Sequence, residues 1–308
     1  MTLSRTLVRV VGFFALPLTL AAQTPVPEAR ALNDGRARIA PALTESTQRA
    51  MAAQLRDARA AWNAAPDDAD AQIWVGRRTA YLGYFREAIN IFTDGIRRHP
   101  TDARFYRHRG HRYLTVREID RAVADFEKAV ELTRGQPDQI EPDGQPNAKN
   151  MPTSSLQSNI WYHLALARYL KRDFNGAADA WTRARDVLQN DDNLVAASAW
   201  LYVALRRAGR TADAAAVLAP IRGDLNVIEN GSYLSLLLLH KGERTEADVV
   251  GAAGEGSAGS AVRYGVSVWH LLNGRASRAK EMWQSITNAP DWPSFGVLAA
   301  EAELRPGA

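Results

Sequence analysis

The chain has 308 residues, 46% of them hydrophobic and 23% charged, and it contains no cysteine. With 38 Lys and Arg residues against 34 Asp and Glu residues, its formal net charge is +4 at pH 7. The apolar content is enough for a core and excludes a disordered chain. The absence of cysteine excludes disulfide scaffolds, thiolate zinc sites, iron–sulfur clusters and cysteine nucleophiles.

The first 22 residues are typical of a secretory signal peptide. Arg5 and Arg9 form a short cationic start, and an uncharged run of 13 residues follows up to Ala22. A membrane-spanning helix needs about 20 apolar residues, so this run is too short to cross a bilayer. We therefore expect export with cleavage after Ala22, which makes the mature protein periplasmic or secreted; an uncleaved interfacial anchor is the alternative. After signal removal we expect no integral membrane span.

Residues 23–41 are predicted to be a flexible linker, because they contain three prolines and an Asn-Asp-Gly turn sequence. Residues 42–66 then show one long amphipathic pattern that ends at Pro66. We expect a single helix there, which caps the front of the region that follows.

A unit of about 34 residues recurs along the rest of the chain. An alanine stands near the start of the second predicted helix of each unit, at successive spacings of 34, 55, 37, 33 and 32 residues. The longest spacing contains residues 135–153, which are rich in proline and glycine and are predicted to be a loop insertion. The recurring alanines are Ala88, Ala122, Ala177, Ala214, Ala247 and Ala279.

The repeats resemble those of the tetratricopeptide repeat (TPR) family, whose unit is a helix–turn–helix. The best copy has Tyr106, Gly110 and Tyr113 in its first helix and Ala122 and Phe126 in its second. The resemblance implies an all-α, right-handed α-solenoid with capping helices at both ends. Its expected divisions are repeats 1–2 at 69–134, the insertion at 135–153, repeats 3–6 at 154–287, and a C-terminal capping helix and tail at 288–308.

The repeated small and aromatic residues are expected to specify packing instead of chemistry. Small residues let paired helices approach closely, and aromatic rings fill the gaps between them. Arg109 stands where the family usually packs a leucine, so the second repeat is either opened locally or carries its guanidinium to the surface. The positions expected to pack are Gly76, Ala88, Phe92, Tyr106, Gly110, Tyr113, Ala122, Phe126, Trp161, Ala177, Trp181, Ala214, Ala247, Ala279 and Trp283.

Residues 97–112 carry the strongest local charge, with six Arg, three His and one Asp. In the TPR family the first helices line a concave groove that receives an extended peptide or a partner helix, so the resemblance implies a protein or peptide partner. Guanidinium groups in such a groove favour an acidic one; the alternative is an arginine-rich solvated face. The candidate groove residues are Arg77, Arg104, Arg107, His108, His111, Arg112 and His163.

Two further hypotheses stay open. The protein could be an assembly factor or accessory subunit of a cell-envelope complex that acts through its convex face and the 135–153 loop, although the acids of that loop could instead fold back on the basic surface. A weaker hypothesis is a metal-binding or enzymatic site at His108, His111 and His163, where the surrounding arginines would repel a cation. No catalytic motif supports an enzyme, and we expect no metal, no cofactor and no nucleic-acid partner.

Overall fold

The computed structural model describes residues 26–252 and 256–307, so the predicted signal peptide at 1–22 lies outside the described residues. Within them the chain forms fourteen helices and one two-stranded hairpin. The elements are β1 (Ala29–Arg30), β2 (Ala37–Arg38), α1 (Glu45–Ala64), α2 (Ala69–Tyr81), α3 (Phe85–Arg98), α4 (Ala103–Thr115), α5 (Ile119–Thr133), α6 (Leu156–Leu170), α7 (Phe174–Val187), α8 (Asp191–Arg207), α9 (Thr211–Leu218), α10 (Gly231–Lys241), α11 (Glu246–Ala252), α12 (Gly256–Leu272), α13 (Ala276–Ile286) and α14 (Phe295–Glu303).

The helices pack in the order in which they occur along the chain. From α2 to α13 they form helix–turn–helix pairs, and the first helices of successive pairs also contact one another from α2 through α12. Helix α1 packs on α2 at the front, and α14 packs on α12 and α13 at the rear. This arrangement confirms the predicted all-α fold of stacked helix–turn–helix units.

Small residues under aromatic rings set the distance between paired helices. A Cβ at Gly76 would lie 2.4 Å from the Phe92 ring, and one at Gly110 would lie 3.0 Å from Phe126. Most of the recurring alanines are buried, but Ala247 is exposed. In the seven-residue α11 the buried position is instead occupied by Val249.

Polar caps begin the helices that carry the candidate site. The Asp68 side chain accepts hydrogen bonds from two backbone N–H groups at the start of α2, and Asp102 accepts one at the start of α4. Ser155 and Ser158 form a reciprocal capping box at the start of α6. Each cap stabilises its helix by about 1 kcal/mol and fixes where the helix begins.

The turn inside each pair contains a residue with positive φ. Gly83, Gly209, Gly242 and Gly274 take this conformation at φ between 76° and 88°. In the second and third pairs the residues with positive φ are Arg117 at 68° and Arg172 at 65°. Because left-handed backbone is unfavourable for any residue with a Cβ, these two arginines need a compensating interaction.

Residues 26–41 differ from the predicted flexible linker. They form an antiparallel hairpin in which Ala29 pairs with Arg38 and Arg30 with Ala37. The hairpin packs against the C-terminal part of the chain, where the Trp292 indole donates to the Ile39 carbonyl at 2.8 Å. The proline-rich composition predicted mobility, but long-range hydrogen bonds hold this segment in place.

Helix α14 does more than cap the last pair. It also contacts α6, and α12 contacts α8, so the C-terminal part folds back toward the middle of the array. The ring of Phe295 lies 5.6 Å from that of His111 and 5.5 Å from that of His163. In the part of the chain that the structure describes, every helix is too short or too polar to cross a membrane.

Candidate basic site

The predicted groove residues lie on three consecutive first helices. Arg77 belongs to α2, and His163 belongs to α6. The other five belong to α4, whose periodicity brings positions three and four apart to one side: Arg104, Arg107, His108, His111 and Arg112. Two segments of the same chain, the insertion at 135–153 and helix α14, cover this surface. The site therefore differs from the open groove that was predicted.

The insertion at 135–153 covers the first two pairs. The Glu141 carboxylate lies 2.9 Å from the Arg107 Nε, and both side chains are buried. Arg77 donates to the Pro142 carbonyl at 2.8 Å, and Arg78 donates to the Gly144 carbonyl at 2.7 Å. The acidic insertion is therefore folded back on the basic surface.

The fold itself holds this segment in register. Ile140 bridges to Ser155 in antiparallel fashion, just before α6 begins. The Glu141 N–H donates to the Ser154 carbonyl at 3.1 Å, and the Asn159 amide donates to the Glu141 carboxylate at 3.2 Å. The carboxylate is thus positioned by α6 on one side and by Arg107 of α4 on the other.

The three histidines lie close together in an environment that keeps them neutral. The rings of His111 and His163 are 4.5 Å apart, and His163 Nδ1 lies 2.6 Å from the Asn159 carbonyl oxygen. Burial, together with Arg107 and Arg112, lowers the pKa of His163 to about 3. Burial and neighbouring arginines also lower the pKa of His108 and of His111 well below the ordinary value.

This cluster does not have the arrangement of a metal centre. Across residues 26–252 and 256–307 no group of three or more His, Cys, Asp or Glu side chains is placed to hold a metal ion. The Arg107 Nη1 lies 3.2 Å from His108 Nδ1 and 3.4 Å from His111 Nδ1, so a guanidinium occupies the space between the two rings. The geometry therefore gives no support to the metal hypothesis for His108, His111 and His163.

Arg104 is not available to an outside anion. It makes three contacts of 2.6–3.1 Å to the Asp102 carboxylate and a further ion pair with Asp70. The hydrogen bonds to Asp102 raise its pKa above the ordinary value of arginine, even though burial opposes this. Arg104 therefore joins the first two pairs to each other, and its charge is already paired within the chain.

Arg109 is satisfied in a similar way. Its guanidinium forms a two-pronged ion pair with Asp125, at 2.8 and 2.7 Å, and donates to the Thr93 hydroxyl at 3.1 Å. The second pair is therefore closed around an ion pair with the buried Asp125, at the position where the resemblance implies a leucine.

Two neighbouring spaces remain between the insertion and the first helices. The outer cleft, of about 170 Å³, is lined by Trp74, Arg77, Arg104 and His108 together with residues 139–142 of the insertion. The inner cavity, of about 100 Å³, is lined by Arg77, Arg107, Arg112, the imidazoles of His108 and His111, and Glu141, with Ala80, Tyr81 and Phe92 completing its wall. Glu141 borders both spaces.

A second charged cluster, not anticipated from the sequence, ties the ends of the chain together. The Glu301 side chain on α14 is fully buried and accepts from Arg38 at 2.7 Å, from Arg117 at 2.9 and 3.0 Å, and from the Leu32 N–H at 3.1 Å. The hairpin, the second pair and α14 therefore meet at one carboxylate. The sequence feature that could have indicated this cluster is Arg117, because it stands in the turn position where most other pairs have glycine.

No protein-family profile matches the chain, and no curated protein is significantly similar to it. Among solved structures, it is similar to YrrB, a TPR protein with an unusual peptide-binding site, with 15% identity and a TM-score of 0.43 over 80% of this chain and 97% of that one. It is also similar to a tetratricopeptide repeat protein from Parabacteroides merdae, with 12% identity and a TM-score of 0.46 over 81% of this chain and 92% of that one. A chain of the APC/C hetero-tetramer Cut9–Hcn1 shows 15% identity and a TM-score of 0.49, over 78% of this chain and 37% of its own.

Proposed function

We propose that this protein is an exported helical-repeat scaffold that binds an extended acidic segment of a protein partner at the outer cleft, in place of residues 141–144 of its own insertion. The observation that carries the proposal is the acidic segment already bound there in cis. The Glu141 carboxylate lies against Arg107, and the carbonyls of Pro142 and Gly144 accept from arginines of α2. The surface thus has the groups needed to hold both the backbone and the acid of such a segment.

The outer cleft also offers an apolar contact. Trp74 is half-buried, and the guanidinium carbons of Arg77 and Arg78 lie 4.3 and 4.8 Å from the centre of its ring. Ile140 of the cis segment borders the same cleft and is 55% exposed. An aromatic anchor flanked by arginines is the composition found at the centres of protein interfaces.

The test is binding of a labelled peptide of residues 137–146 to a full-length variant in which residues 138–144 are replaced by a Gly/Ser sequence of equal length. We expect saturable binding by fluorescence anisotropy, and weaker binding to the wild-type chain because its own segment competes. Arg78→Gln in the replaced background should weaken binding about tenfold, since a charge-assisted hydrogen bond to Gly144 is lost.

Arg97→Gln is the matched control, because the Arg97 side chain is 74% exposed and lies outside the cleft. It should leave peptide affinity unchanged. The proposal is wrong if the peptide fails to bind the replaced variant, or if Arg78→Gln and Arg97→Gln weaken binding equally, which would indicate attraction by overall charge alone.

The export part of the proposal rests on residues 1–22. We expect the chain recovered from a periplasmic or culture fraction to begin at Gln23 when its N-terminus is sequenced. Recovery in a membrane fraction with Met1 or Thr2 still present would favour the interfacial anchor instead.

A second candidate function is that of an accessory subunit of a cell-envelope complex that uses the insertion as its contact. It is favoured by the exposure of Met151, at 54%, on this segment. Met151→Ser should reduce co-purification with the complex and leave binding of the 137–146 peptide intact. Val250→Ser is the control, since Val250 is 42% exposed on α11, outside the insertion.

A further inference from the structure

We infer that the inner cavity binds a small, doubly charged tetrahedral oxyanion such as inorganic phosphate or sulfate. This goes beyond the proposed function, because the ligand is a free ion in the neighbouring space that Glu141 also borders. The inference stands on the geometry of the guanidinium groups that line the cavity and on the imbalance of charge among them.

Three guanidinium groups face the cavity, from Arg77, Arg107 and Arg112. Among the described residues that line it, Glu141 is the one carboxylate, and it lies against Arg107. With the two histidines held neutral, two positive charges of the lining are left unmatched. Buried charges are costly unless they are paired, so the cavity is set up to take an anion of charge −2.

Arg112 is the least satisfied of the three. Among the described residues it has no ion pair and no hydrogen-bond acceptor; its nearest ring is that of Phe85, whose centre lies 5.7 Å from the guanidinium carbon. Burial lowers the pKa of Arg112 to about 10, with Arg107 and Arg77 adding to the effect. At neutral pH the group is still charged, and it faces a space instead of a partner.

The remaining groups suit an oxyanion as well. Arg77 uses one Nη for the Pro142 carbonyl and has the Tyr81 hydroxyl 3.4 Å from its Nε, which leaves other N–H groups free to donate. Because Arg107 can only donate to the Nδ1 atoms of His108 and His111, each neutral ring carries its proton on Nε2 and adds a donor. Guanidinium forks bind two oxygens of one phosphate or sulfate side by side, and a cavity of about 100 Å³ has room for one such ion.

The experiment is a calorimetric titration of the full-length protein with sodium phosphate and, separately, sodium sulfate at pH 7.5 and low ionic strength. We expect one saturable site. Arg112→Gln should weaken it about tenfold, because charge-assisted hydrogen bonds are lost. Glu141→Gln should tighten it, because the competing carboxylate is removed from Arg107.

Arg97→Gln again serves as the control and should bind like the wild type. Urea midpoints identify a variant that fails to fold, and the opposite direction expected for Glu141→Gln tests the inference without Arg112. The inference is wrong if the wild type shows no saturable binding, if Arg112→Gln and Arg97→Gln behave alike, or if acetate binds as tightly as phosphate. Phosphate binding without binding of the 137–146 peptide would overturn the proposed function alone.

Discussion

The buried histidine cluster makes the free energy of unfolding depend on pH, and the variant His163→Gln isolates the contribution of one of its members. His163 is 5% exposed, and its pKa in the folded protein is about 3, whereas an unfolded histidine titrates near 6.5. Between these values the unfolded chain binds a proton that the folded chain does not. The contribution of His163 to the free energy of unfolding is therefore fully present above about pH 7.5, and it is lost as the pH falls through 6.5.

The size of the loss follows from the two pKa values. At pH 5 the unfolded imidazole is almost fully protonated and the folded one almost fully neutral, so His163 alone costs about 2 kcal/mol relative to pH 8. At pH 6 the cost is about 0.8 kcal/mol. A folded pKa one unit higher would change neither figure appreciably, because the loss over this range is set by the unfolded state.

The assay is urea unfolding followed by circular dichroism at pH 8, 7, 6 and 5, for the wild type and for His163→Gln. The glutamine amide is neutral at all four pH values and can still donate to the Asn159 carbonyl. The wild type should lose about 2 kcal/mol more than the variant between pH 8 and pH 5. If the two curves run parallel to within about 0.5 kcal/mol, His163 is not a buried neutral histidine, and its placement between His111 and Phe295 is incorrect.

Two further substitutions test the packing of the array by the same urea assay. Glu301→Ala leaves two buried arginines without their carboxylate and should lower the free energy of unfolding by about 3–5 kcal/mol, with faster amide hydrogen exchange at 28–39; a loss under about 1 kcal/mol would contradict the buried cluster. Gly76→Ala places a methyl group 2.4 Å from the Phe92 ring and should cost about 1–3 kcal/mol. Gly251→Ala, with no atom within 4 Å of the new Cβ, should instead be neutral or stabilising, and equal effects of the two changes would refute the close helix approach.

The repeat architecture was predictable because it depends on local pattern. Each pair needs a small residue facing an aromatic one at fixed spacing, and Gly76 with Phe92 and Gly110 with Phe126 show that requirement directly in the sequence. The same logic was wrong for Ala247, where a helix of seven residues places its buried side elsewhere. Periodicity predicts which positions are equivalent; it does not measure how long each helix is.

From the sequence alone, the folding of the 135–153 insertion over the basic surface could be stated only as an alternative to its use as a partner contact. Residues 135–153 have no periodicity, and a salt bridge such as that between Arg107 and Glu141 depends on a path through space that composition does not specify. The local charge count over 97–112 was likewise incomplete, since Asp70 and Asp125 pair with Arg104 and Arg109 from outside the run. The residues of the site were found, but their exposure was not.

The two arginines with positive φ hold α14 in place, and this favours the outer cleft as the binding site of a partner. Left-handed backbone costs about 1–2 kcal/mol at each of Arg117 and Arg172, where the other pairs have glycine. Both arginines reach α14, at Glu301 and at Glu303, and the contacts of Arg117 are buried. These ion pairs hold α14 against the turns of the second and third pairs.

A partner helix could occupy the covered part of the concave surface only after α14 had left it. That step would separate Glu301 from Arg117 and Arg38 and would leave three charged groups without their ionic partners. An extended acidic segment needs no such step, because its own carboxylate can replace that of Glu141 beside Arg107. The other contacts of the loop that it displaces, at Arg77 and Arg78, are single hydrogen bonds to carbonyls. The lower cost of moving the loop is the physical reason for assigning the partner to the outer cleft and not to the surface that α14 covers.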